Sequence, residues 1–196
     1  FFFKQKTAYE IKECDWSSDV CSSDLSNMNN QYTFFWSGFF SQWYKSNFEL
    51  EGITFNTAEQ YMMYKKAMLF NDTEIAKQIL NTGDPKTQKA LGRKVKNFSM
   101  SKWNEHCLQI AFRGNHAKFT QNKYLYRQLM NTGTTILVEA SQFDPIWGIG
   151  LNEEDAKKTP DTQWPGSNWL GLTLTNLREF LQEEERIERE YKNGRA

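Results

Sequence analysis

Residues 57–70, TAEQYMMYKKAMLF, decide the reading of the fold. Thr57 and Gln60 form a T-x-x-Q capping box, in which the threonine hydroxyl accepts an otherwise orphaned amide of the first helical turn and the glutamine reaches back over the cap. The chain is therefore expected to enter a helix at Thr57, and helices are expected to follow. Gly83, ahead of Asp84-Pro85, ends a piece running roughly from Glu74 to Leu80, and another spans Pro85 to about Leu91. SKWNEHCLQIAFRGNHAKF starts with Ser101 as cap and places Trp103, Cys107, Ile110 and Ala111 on one stripe. Lys123 to Met130 is stopped by the turn Asn131-Thr132-Gly133, and the last helix is expected from Leu172 or Thr175 to Leu181.

The chain on either side of these helices has a different texture. QYTFFWSGFFSQWYKSNFELEGITF, 31–55, is aromatic and β-branched, with turn chemistry at Ser37-Gly38 and Glu51-Gly52, and reads as a small antiparallel unit. ILVEA, 136–140, is a short strand candidate. Residues 141–167 read as one long irregular loop, and a loop that long inside a compact domain usually carries function. The fold class is mainly α (α+β): a multihelical single domain, 26–182, with a small antiparallel β element near its start. EEERIEREYKNGRA, 183–196, is a charged tail read as a solvated, fraying helical extension.

Residues 1–25, FFFKQKTAYEIKECDWSSDVCSSDL, follow neither a helical nor a strand period, and acids cut short any signal-peptide pattern. They resemble the in-frame translation of a sequencing adapter, are expected to be non-native and disordered, and are set aside from fold reasoning. The whole chain has 24 basic and 24 acidic residues; without the three lysines and five acids of this segment, 21 face 19. That balance gives no broad electrostatic footprint for nucleic acid. Cys107 is then the one cysteine left, so no disulfide framework is expected and a reducing cytoplasm is the expected home. No apolar run approaches the 18 or so residues of a membrane span, so no membrane partner is expected. His106 and His116, ten apart, fit no zinc spacing, and phosphate-loop and dinucleotide-binding glycine patterns are absent.

In order along the chain come T-x-E-x-Y with a lysine seven residues after the glutamate, L-G-R, K-F, L-V-E, D-x-x-W-G-x-G and N-x-L-G. That order and spacing resemble the NADAR (YbiA-like) family of N-glycosidases over essentially all of 32–182. The resemblance implies metal- and cofactor-free hydrolysis of the N-glycosidic bond of a phosphorylated ribose compound. The substrates it implies are a riboflavin-pathway ribosylamine intermediate or ADP-ribose on a guanine base, with nucleic acid admitted as the carrier. It implies Glu59, Lys66, Asp144, Trp147 and Asn168 as site residues.

Each position has its own physics. Glu59 lies in the first turn of its helix, where the macrodipole favours a carboxylate, which suits a base or nucleophile; first-turn acids also occur for dipole reasons alone. Lys66, seven residues on, returns to the face of Glu59. Asp144 precedes a proline that biases it to extended backbone; Gly148 permits close approach, and Trp147 offers a flat face for a base or fills core. Glu59 and Asp144 are the two carboxylates that an oxocarbenium-like transition state calls for, in either assignment of roles. Asn168 is read as a ribose contact or a helix cap, Arg93 as a phosphate contact, and Glu139 as a third acid near the site. Trp103 and Cys107 read as core. Two rivals stand beside the enzyme: a non-catalytic ADP-ribose-binding module, which has no evident need for both carboxylates, and an interaction protein that would depend on its tail.

Overall fold

Strand β1 (Tyr32–Phe35) pairs in parallel with β4 (Ile136–Glu139), Tyr32 facing Ile136 and Phe35 facing Glu139. The computed structural model describes residues 31–194; the segment 1–25 read as adapter-derived lies outside the described residues. The aromatic start therefore divides. Its second half forms the antiparallel hairpin of β2 (Phe48–Leu50) and β3 (Ile53–Phe55), as expected, while β1 joins a strand far along the chain. The hairpin turn places Glu51 and Gly52 both at positive φ, 56° and 75°, a backbone that suits the right-handed twist of two antiparallel strands.

Helix α1 (Ala58–Leu69) starts where the capping box puts it. Thr57 Oγ1 accepts from Gln60 N, while Gln60 Oε1 reaches one residue further back than expected, to Asn56 N. Helices α2 (Thr73–Leu80), α3 (Pro85–Gly92) and α4 (Met100–Thr120) pack around it. Asp72 and Asp84 cap α2 and α3, and Ser99, not Ser101, caps α4. Gly114 lets α4 lie against α1, because a Cβ there would stand 2.5 Å from the Tyr61 ring. Helix α5 (Lys123–Met130) follows the sequence reading residue for residue.

Two corrections concern the second half. Residues 141–167 are not all irregular, since they hold helix α6 (Glu153–Lys158), capped by Asn152. Helix α7 runs from Trp169 to Asn193, starting earlier than expected and continuing without a break into the charged tail read as its helical extension. Its first turn is pressed on β4 so closely that a Cβ on Gly171 would come within 2.2 Å of the Leu137 carbonyl oxygen.

The core has two main bodies. One gathers β2, β3 and α1 to α4 around Tyr61, Phe55 and Cys107; the other gathers the end of α4, α5, α7 and one face of β1/β4 around Phe119, Leu137 and Leu174. Trp147 packs against both. The opposite face of β1/β4 covers a smaller cluster of Tyr32, Val138, Ile149 and Ala156. This mainly helical α+β arrangement brings three places together: the start of α1, the C-terminal end of β4 and the middle of α3.

Candidate active site

Glu59 is the second residue of α1 and is only 3 % exposed. Its amide donates to the Gln42 carbonyl at 3.0 Å, tying α1 to the loop before β2, and the Trp43 side chain of that loop hydrogen-bonds the carboxyl. The carboxyl oxygen Oε1 has no hydrogen-bond partner. Burial pushes this carboxyl up to about 7; Lys89, the Trp43 hydrogen bond and Lys66 pull it down, and the charge of Asp144 pushes it up. Burial therefore works against the helix dipole at Glu59 and raises its pKa toward neutrality. A dipole contributes about 0.3–1 kcal/mol at an exposed site, whereas removing a carboxylate from water costs several kcal/mol.

Asp144 sits in the loop after β4, and its Oδ1 accepts the amides of Ile146 and Trp147 at 3.1 and 2.9 Å. Oδ2 meets Lys89 Nζ of α3 at 3.4 Å. Glu139, the last residue of β4, is a third carboxyl in the same field. Burial raises it to about 7, Asp144 and Glu59 raise it further, and Lys89 opposes. Its Oε2 is buried without a partner. Lys89 is thus the cation that all three acids feel, and the sequence reading missed it. The signal was available: Lys89 lies one turn before Arg93, within a stretch from Pro85 to Asn104 that has six cations and no acid.

The remaining candidates divide. Lys66 does return to the Glu59 face. Its ammonium sits 4.3 Å from the Phe98 ring centre and 5.5 Å from that of Trp103, and partial burial lowers its pKa, with Glu59 opposing and Arg93 adding to the shift. Arg93, exposed at the end of α3, is close enough to act on Lys66. Trp147 is half-buried and meets Trp169 edge to face, ring centres 5.8 Å apart. Trp103 and Cys107 are buried, and burial raises the Cys107 thiol to about 11.

Two assignments need correcting. Asn168 does not point an amide at a ligand site. Its Oδ1 accepts from Glu139 N and its Nδ2 donates to Leu137 O, both at 2.9 Å, so both ends of the side chain clamp β4. It occupies the cap position of α7 but makes no capping bond, because its own φ is 51°. Gly148 is buried against backbone: a Cβ there would stand 2.8 Å from Glu139 O and 2.9 Å from Asp144 O. Its small size brings Glu139 and Asp144 together and leaves no cradle for a substrate. Trp43 and Phe98, both exposed beside the site, belong to none of the motifs and were missed by the sequence reading. Among the described residues no group of three His, Cys, Asp or Glu side chains has the geometry of a metal site.

Fold and site together define the class: an α+β domain with buried carboxyls gathered around one lysine, beside indole faces. The chain belongs to the NADAR domain family, whose pattern matches residues 33–182. It is 44 % identical over 149 residues to an N-glycosidase of Acanthamoeba polyphaga mimivirus, covering 74 % of this chain and 88 % of that protein. It is 27 % identical over 172 residues to a riboflavin biosynthesis protein of Vibrio vulnificus, covering 85 % of this chain but 43 % of that longer protein. The solution structure of Escherichia coli YbiA superposes with a TM-score of 0.66 at 26 % identity, covering 80 % of this chain and 88 % of YbiA.

Proposed function

We propose that this NADAR domain hydrolyses the N-glycosidic bond of a phosphorylated ribose compound, either a riboflavin-pathway ribosylamine or an ADP-ribosylated guanine base. The class of reaction, hydrolysis at an N-glycosyl bond, follows the N-glycosidase relatives. The observation that carries the reading is Glu59: a buried carboxyl near neutrality, with one oxygen unpartnered, beside Asp144 and facing Lys89. Breaking the bond between the anomeric carbon and nitrogen puts positive charge on the sugar and negative charge on the leaving base. Glu59 and Asp144 oppose the first, and a protonated carboxyl answers the second. Water then adds to the anomeric carbon and gives its proton to a carboxylate. In this reading Lys66 and Arg93 would hold phosphate oxygens, and Trp147 would offer a face to the base.

The test is release of base and sugar, followed by chromatography, from an ADP-ribosylated guanine oligonucleotide and from a ribosylamine phosphate, using the full chain beside Glu59→Ala. Cleavage of either compound by wild type alone supports the reading and names the substrate. Tight ADP-ribose binding without cleavage of either would instead make the chain a recognition module.

A further inference from the structure

We infer that Glu139, rather than Asp144, is the proton-exchanging partner of Glu59, acting as the general acid toward the leaving base while Asp144 stays fixed as a charged anchor. This rests on the glycosidase reading above. The first ground is the register of β4. Alternation along a strand puts Glu139 on the same face as Leu137, which is fully buried, so this acid points inward where the sheet packs on α7. It is also the last residue of β4, at the carboxyl end of a parallel pair, where α/β-type sheets present their ligand sites.

The second ground is how firmly the residue is held. Its amide donates to Asn168 Oδ1, and its carbonyl accepts from Ser141 N at 2.9 Å and Ile149 N at 3.0 Å. A backbone fixed at both ends delivers a side chain with little freedom, which suits a catalytic group. Yet Oε2 of that side chain is buried with no partner, as is Oε1 of Glu59. Buried carboxyl oxygens are normally satisfied, and two unsatisfied ones in one field mark where a substrate's donors or a shared proton would go. Asp144 is the opposite case: one oxygen takes two loop amides and the other takes Lys89. Both of its oxygens are engaged, and the loop that carries Trp147 depends on them.

The groups facing Glu139 differ from those facing Glu59. Glu59 from α1 and Asp144 from the following loop both disfavour its charge, and Lys89 from α3 alone favours it. Glu59 has three groups favouring its charge: Lys89, Trp43 and Lys66. Glu139 is therefore placed to hold a proton beside the leaving base while Glu59, with more groups favouring its charge, faces the sugar. The bond then breaks with its electron pair passing to the leaving nitrogen, which takes the Glu139 proton. Water adds to the anomeric carbon and returns a proton to a carboxylate of the pair, which restores the starting state.

The experiment compares full-chain wild type, Glu139→Gln and Asp144→Asn for the pH profile of kcat/KM on whichever glycoside wild type cleaves. It adds a carbon-13 carboxyl titration of glutamate-labelled wild type, assigned with Glu59→Gln. Loss of the alkaline limb in Glu139→Gln with a drop of about 10²–10⁴-fold, and its retention in Asp144→Asn, is the expected result. A loss of activity in Glu139→Gln with the alkaline limb intact marks a purely structural role and overturns the inference. Transfer of that limb to Asp144→Asn overturns it too. If Glu139→Gln does not fold, the titration decides: two coupled glutamates changing protonation near neutrality support the pair, and one or none refutes it. A wild type inactive on both glycosides, with the coupled titration present, removes the glycosidase reading itself and with it the role given to Glu139.

Discussion

Two buried charges at the residue scale act in opposite directions on stability. In the folded chain Glu59 keeps a proton that the unfolded chain releases between about pH 4.5 and 7. Its stabilising contribution is complete below 4.5 and is lost as pH rises through 7. Glu59→Gln, neutral throughout, should therefore match wild type near pH 4.5 and exceed it by roughly 3 kcal/mol at pH 8, while losing activity. Urea unfolding at the two pH values checks this, and equal stabilities at both would show that Glu59 ionises without cost. Lys118 works the other way. It is fully buried on α4, donates to Ser41 O at 2.9 Å, and desolvation lowers its pKa from 10.5 to about 7. Across that window the unfolded chain binds a proton that the folded chain does not, so stability rises with pH. Wild type should gain roughly 3 kcal/mol over Lys118→Met between pH 7 and 9.5, below the range where buried tyrosines reverse the trend. Parallel unfolding curves for the two proteins across that range would exclude a neutral buried lysine. The contact has a functional side as well, because Lys118 holds the loop whose next residues are Gln42, bound by the Glu59 amide, and Trp43.

Elements depend on one another at the contact between β4 and α7. Removing the side chain in Asn168→Ala leaves Leu137 O and Glu139 N buried without those partners, at a cost of about 1–3 kcal/mol each. It also places alanine at a φ of 51°, a region alanine disfavours. With about 2–4 °C per kcal/mol for a domain of this size, Tm should fall by roughly 10 °C, and activity with it as Glu139 loses its mooring. Calorimetry on the variant is the check, and an unchanged Tm with activity lost would return Asn168 to ligand binding. This contact also shows where the sequence stops being readable. Helices α1, α2, α3 and α5 carry their caps and stops locally, so residues such as Thr57, Gly83 and Asn131 reveal them. The start of α7 is set by Asn168 gripping a strand 29 positions earlier, and local residues in GSNWLG read as loop. The pairing of β1 with β4 is equally non-local, which is why β1 was read into the antiparallel unit. In the site, Glu59, Asp144 and Lys66 were legible from motif order, and Lys89 was not, because its partners lie on other elements.

The molecule as a whole has two cores rather than one, and the site lies where they meet. Trp147 joins the two: its ring packs against both bodies and meets the Trp169 ring edge to face. Its amide is held by Asp144, and its carbonyl accepts from Leu170 N at 3.0 Å. The same residue therefore joins the two halves and is the face proposed for the base, and the two roles can be separated by substitution. Trp147→Ala should cost stability toward the low end of the roughly 3–5 kcal/mol seen for large aromatic truncations, since the ring is only partly buried. It should also broaden the unfolding transition as the two bodies lose cooperativity. Trp147→Phe keeps an aromatic edge against Trp169 and most of the packing, so its Tm should stay close to wild type while KM rises through the smaller stacking face, worth about 1–3 kcal/mol for a whole base–aromatic stack. Thermal unfolding and steady-state kinetics on the pair make the test. Should Trp147→Phe keep wild-type KM while Trp147→Ala merely unfolds, the tryptophan is a structural joint, and the base must find its stacking partner at Trp43 or Phe98.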